Sequence, residues 1–332
     1  VKNLLRLLVS ALLLILLFTF VVDVQQVWYS LRKVQLEYLF AALLVTGLDR
    51  VTMTYKWFLL LKPANHVLSL TRAMAIYCTA TLVGTVLPVT VGGDVIRGVL
   101  TTRSGVRGDH VIASIVVERM LGFLCVMLLG VFSLMILRGA HLLSAKYDVV
   151  LLLGMIAFCG GAAIAVASFN TRALQWVKAL PGPFRGSKLT RRLERLWTAY
   201  HQLGAQRETL GFFSALTLVE QFLPGLTTWL LLKGMGVEVN AVLLFCALLL
   251  SVIAARLPVS IDGLGIFEGV LAALLQLASV APEYSVAAAL TGRALQIIVC
   301  LPWWFAFTRN SGPLDVRSLS ELTPTTAKSR RQ

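Results

Sequence analysis

Four arginines stand inside or at the edge of apolar stretches of this chain: Arg97, Arg119, Arg256 and Arg293. Asp94, Glu118, Asp262 and Glu268 lie close to them in sequence. Charge in an apolar setting is costly and is retained where it binds, relays protons or pairs. A guanidinium is a planar fork of donors that matches a phosphate. The four arginines are therefore candidates for holding an anionic headgroup. Asp94, Glu118 and Glu268 are candidates for ion pairing or proton coupling. For Glu268 two roles are open: pairing with an arginine, or taking up a proton as the arginine releases its ligand. The same charges also read as internal ion pairs, which fix geometry more than they stabilise. Asp262 and Arg256 are the two with the best claim to an interfacial place. Asp49 and Arg50 lie late in an apolar stretch, beside such a site or at its end.

Two related segments would position these residues. Residues 86–100 read VLPVTVGGDVIRGVL and residues 256–271 read RLPVSIDGLGIFEGVL. Aligned on LPV and GVL, Arg97 falls opposite Glu268. Pro88, Gly92 and Gly93 in the first segment, and Pro258, Gly263 and Gly265 in the second, are expected to break helices. A half-helix that restarts after a break presents free N–H groups and partial positive charge, which favours an anion. Each segment is followed by a long apolar stretch with an arginine near its start, Arg119 in one and Arg293 in the other.

The surroundings are those of a membrane protein. The chain has 332 residues, of which 58% are hydrophobic and only 14% charged, with a mean hydropathy of +0.81. A soluble domain carries about 25% charged residues. The expected fold is an all-α polytopic membrane protein, with about six full spans plus two broken-helix hairpins. Full spans are expected near 4–22, 36–61, 111–137, 148–169, 210–232 and 284–308. The first is kept as a span because it lacks a small-residue cleavage site. The hairpins are expected at 70–97 and 240–280, within one transmembrane domain over 1–309 that is followed by a basic tail, 310–332.

Lysine and arginine orient the chain. They concentrate in 170–209, in the tail and at Lys2 and Arg6, so both termini are expected in the cytoplasm. Threading then brings the first hairpin in from the cytoplasmic side and the second from the other side. That is the pattern of an inverted repeat, in which broken helices at matching positions mark a transported ligand's site. Recurrence of LPV and glycine by chance in a Leu/Val/Gly-rich chain is the alternative. Residues 188–208 place Leu189, Leu193, Leu196, Trp197, Tyr200 and Leu203 at helical spacing between arginines, and read as an amphipathic helix on the cytoplasmic leaflet.

Other chemistries find little support. The five cysteines lie in apolar stretches without metal-like spacing, and the four histidines do not cluster. There is no phosphate-binding GxxxxGK[ST] loop, no DxD and no GxSxG. No catalytic residue, metal, cofactor or nucleic-acid partner is expected.

At VLPVTVGGDVIRGVL, SIVVERMLGFL and LPVSIDGLGIFEGVL, with Arg293 downstream, the chain resembles the flippase-like transmembrane domain family named after lysylphosphatidylglycerol synthase. The resemblance spans roughly 4–308. Its GD-x-x-R pattern falls on Gly93, Asp94 and Arg97, its ER pair on Glu118 and Arg119, and its G-x-G-x-x-E pattern on Gly263, Gly265 and Glu268. Where the family often has an acidic residue soon after the ER pair, this chain has Gly122. The resemblance implies a bacterial cytoplasmic membrane. Its implied partners are membrane lipids, either an anionic phospholipid or a polyprenyl (isoprenoid) lipid, and a lipid-modifying synthase. It implies a lipid flippase or transporter. The alternatives are a membrane component of glycosyl or aminoacyl transfer to a lipid phosphate, and a non-catalytic partner of such a synthase. The segment after the last span is too short for a soluble aminoacyl-transferase domain, so synthesis of lysylphosphatidylglycerol by this chain alone is not expected.

Overall fold

A computed structural model describes residues 24–62, 68–86, 92–169, 188–256, 260 and 263–311. The expected span at 4–22, Pro88, Pro258, Asp262 and residues 312–332 of the tail lie outside them. The described residues are mostly helical, with no strand among them. In chain order the helices are α1 (Val24–Arg32), α2 (Leu36–Leu61), α3 (Leu70–Val86), α4 (Gly92–Arg103), α5 (Gly108–Gly139) and α6 (Asp148–Ser168). They continue as α7 (Lys188–Gly204), α8 (Arg207–Glu220), α9 (Phe222–Gly234), α10 (Ala241–Ala255), α11 (Ile266–Gln276) and α12 (Pro282–Ser311).

Among the described residues, length and apolarity suit four segments for crossing a bilayer: α5, α6, the run α8–α9 and α12. Of the other two expected full spans, 4–22 is not described. The other, α2, is long enough at 26 residues but buries Asp49, Arg50 and Lys56 along one side. α5 begins with Asp109 in its first turn and ends with Arg138 in its last, which complements the helix dipole at both ends. Between α8 and α9 the helix is interrupted at Gln221. Pro224 has no N–H to offer the carbonyl of Glu220, one turn back.

Each segment expected as a hairpin holds two packed helices, with shifted bounds. The first is α3–α4, and its second arm runs to Arg103 rather than ending at Arg97. The second is α10–α11, spanning 241–276. In each the two arms pack against one another, and the shorter arm packs on the long helix that follows, α5 or α12. Their open ends sit at opposite ends of α12. One apolar cluster joins Leu244, Leu275 and Val280 to Val286 near the start of α12. Another joins Leu68, Leu100 and Val106 to Phe307 near its finish.

Tight backbone approach explains the glycines at the breaks. A Cβ on Gly93 would lie 3.1 Å from the carbonyl oxygen of Ala80 in α3. A Cβ on Gly263 would lie 2.5 Å from that of Ala255, the last residue of α10. Gly263 and the α11 N-cap Gly265 also hold φ of +69° and +81°, which side-chain-bearing residues rarely adopt.

The amphipathic segment is a helix, α7, but its apolar face meets protein. Ala199, Tyr200 and Leu203 are buried with Val117 of α5 and Phe213 of α8. The Tyr200 ring stacks on Phe169 with centroids 4.9 Å apart.

Candidate functional site

The charged residues of the two hairpins form one motif twice. On α4, Asp94 accepts both Nε and Nη2 of Arg119 from α5, at 2.7 and 2.8 Å. On α11, Glu268 accepts Nε of Arg293 from α12 at 2.7 Å. In each case the acid lies in the first turn of the short helix after the break. In each case its arginine comes 25 residues later.

This geometry corrects the sequence alignment. Alignment on LPV and GVL set Arg97 against Glu268, with opposite charge. In the structure the counterpart of Glu268 is Asp94, and the signs agree. The cause is the connection length. After Val89 only residues 90–91 precede α4, whereas after Val259 residues 260–265 precede α11.

Arg97 is thereby given a different place from the other three arginines. It is 3% exposed and bridges Glu118 at 2.7 Å and Asp94 at 3.2 Å. Its guanidinium lies over the rings of Trp57 and Tyr77, at 4.8 and 5.0 Å from their centroids. A cation held between two carboxylates and two aromatic faces is a support for Asp94, which in turn holds Arg119.

Glu268 is also fixed. It is fully buried, and its second oxygen accepts the N–H of Gly265 at 2.8 Å. The start of α11 therefore spends a free donor on its own side chain, and Asp94 stands in the first turn of α4.

Those side chains meet in a cavity of about 690 Å³. Such a volume falls within the roughly 300–1,000 Å³ of ligand sites. Arg119, Arg256 and Arg293 all line it, joined by Arg50 from α2. Arg97 does not. Asp49 is the acidic residue on the wall and binds Arg50 beside it. Phe123, Leu248, Val252 and Phe267 make apolar wall.

Among the described residues, charge around the cavity is unbalanced by one. Arg50 pairs with Asp49, Arg119 with Asp94 and Arg293 with Glu268, while Arg97 and Glu118 cancel behind. Arg256, at the C-terminal end of α10, makes no salt bridge among the described residues and is exposed. One cation facing a partly apolar wall is a setting that favours a singly charged anion.

The sequence reading passed over part of this region. It left Asp49 and Arg50 without a place, and it did not single out the pair Lys56–Glu220. That pair joins α2 to α8 at 2.7 Å, with each side chain about 5% exposed or less. Lys56 also donates to Thr217 at 3.3 Å. The signal was available: Thr46, Asp49, Arg50, Thr54 and Lys56 recur at helical spacing along the buried side of α2.

Fold and site together define a multi-pass, all-helical membrane protein with an arginine-lined cavity among its helices. The chain belongs to the lysylphosphatidylglycerol synthase TM region family, whose pattern matches residues 3–303. No curated protein matches it.

Proposed function

We propose that this protein is a flippase-like transporter that takes the phosphate of an anionic phospholipid or a polyprenyl lipid into the arginine cavity and passes it between leaflets. The observation that carries this reading is the convergence of Arg50, Arg119, Arg256 and Arg293 on one cavity with apolar wall. Guanidinium groups would hold the headgroup, and the apolar side would accept the start of the acyl or prenyl chain. The paired hairpins act as the two halves of an inverted repeat that rock about the site. Membership of a family tied by name to lipid synthesis supports a lipid as cargo. The protein works in the bacterial cytoplasmic membrane with both termini in the cytoplasm, as the basic loops favour.

The test is leaflet translocation in proteoliposomes. Labelled phosphatidylglycerol and a labelled polyprenyl phosphate are offered to wild type and to Arg256→Ala. Transport of one of them, reduced at least about tenfold in the variant, supports the reading. Folded wild-type protein that moves neither lipid overturns it.

A further inference from the structure

The cavity has a second polar side, opposite in hydrogen-bonding character to the first. Arg119, Arg256 and Arg293 come from α5, α10 and α12 and can only donate. On α2 and α9 stand the acceptors Thr46, Asp49 and Thr228, also on the wall, with Arg50 beside them turned to Asp49. The Thr46 hydroxyl donates to the carbonyl of Ala42 at 2.8 Å, and that of Thr228 to the carbonyl of Pro224 at 3.0 Å. Their protons are committed to their own helices; Thr46 accepts from the Thr227 hydroxyl at 3.5 Å with one lone pair, and both hydroxyls keep acceptor capacity for the cavity. Asp49 is 5% exposed, and one carboxylate oxygen binds Arg50. Among the described residues its other oxygen, Oδ1, is buried without a hydrogen-bond partner. An unpaired buried carboxylate oxygen is costly and calls for a donor.

We infer that Asp49, supported by Thr46 and Thr228, is the specificity-determining side of the cavity and selects phosphodiesters whose headgroup carries a hydrogen-bond donor, a hydroxyl or an ammonium. This rests on the proposed binding of lipid phosphate by the arginines. The two sides act on different ends of one ligand. The arginines take the phosphate oxygens, and the α2–α9 side accepts from the group esterified to that phosphate. A phosphodiester capped by a methyl group would satisfy the arginines and leave Asp49 as it is. Sites built to bind a donor reject the analogue that lacks it, because their own polar atom is then stranded.

The test is competitive binding to the full chain in nanodiscs. The probes are short-chain phosphatidylmethanol, phosphatidylglycerol and phosphatidylethanolamine, which offer no donor, hydroxyls and an ammonium. Wild type should prefer at least one donor-bearing lipid over phosphatidylmethanol by about tenfold or more. Whichever of the two is preferred identifies the donor. Asp49→Asn should shrink that ratio toward one, while Arg256→Ala weakens all three probes alike and leaves the ratio. If Asp49→Asn does not fold, Thr46→Val should lower the ratio several-fold without loss of phosphatidylmethanol binding. Equal binding of the three by wild type, or a ratio that survives both Asp49→Asn and Thr46→Val, overturns the inference and leaves the phosphate site standing. Failure of wild type to bind any of them overturns the phosphate site itself.

Discussion

Arg256 and Glu268 stand close in sequence and call for opposite consequences on mutation. Arg256 is exposed at the end of α10 and makes no salt bridge among the described residues. Arg256→Ala should therefore leave thermal unfolding within about 0.5 kcal/mol of wild type while lipid transport falls. Glu268 is buried, holds Arg293 and accepts from the Gly265 N–H. Glu268→Ala removes a carboxylate from Arg293 and leaves the Gly265 N–H without its acceptor in a buried place, so unfolding should show a loss of about 3 kcal/mol. Lys56 and Glu220 provide a third case. Lys56→Met leaves the Glu220 carboxylate buried without its cation and should destabilise by a similar amount. Adding Glu220→Leu should recover most of that loss in a double-mutant cycle. An additive double mutant would show that the pair is not coupled.

At the scale of elements, the hairpin breaks depend on glycine for space and for backbone conformation. Gly263→Ala puts a methyl 2.5 Å from the Ala255 side chain at φ +69°. It should loosen α10 from α11, which hydrogen exchange along α11 would read as lost protection. Much of this level was legible in the sequence. The pattern of Pro and Gly located both breaks, and apolar run length located α5, α6 and α12. The register between the hairpins was not legible. The longer second connection moves α11 relative to its LPV motif, and only the position of the ion pair in three dimensions shows that Asp94, not Arg97, answers Glu268. Arg97 was placed with the ligand-facing arginines for the same reason. Sequence gives a charge its neighbours along the helix, whereas Glu118, Trp57 and Tyr77 reach Arg97 from elsewhere. The reading of α7 as a helix on the lipid surface met the same limit, since its apolar spacing fits burial against α5 equally well.

For the whole molecule, orientation follows from charge. The cytoplasmic side should carry the ends of α4 and α7, and the opposite side the turn between α5 and α6. Single cysteines placed at Arg103 and at His141, in a variant whose own cysteines are replaced, should react with an impermeant thiol reagent from opposite faces of the membrane. Labelling of both from one face would contradict the threading. The hairpins' open ends lie at opposite ends of α12, with the cavity lined by helices from both halves. Under the proposed function, that placement would give a headgroup a site reachable by rocking either hairpin. The most direct measurement is a structure of the full chain in nanodiscs rich in phosphatidylglycerol. The expected result is phosphate density within hydrogen-bonding distance of Arg119, Arg256 and Arg293. A cavity holding only water, with ordered lipid confined to the outer surface of the helices, would contradict it.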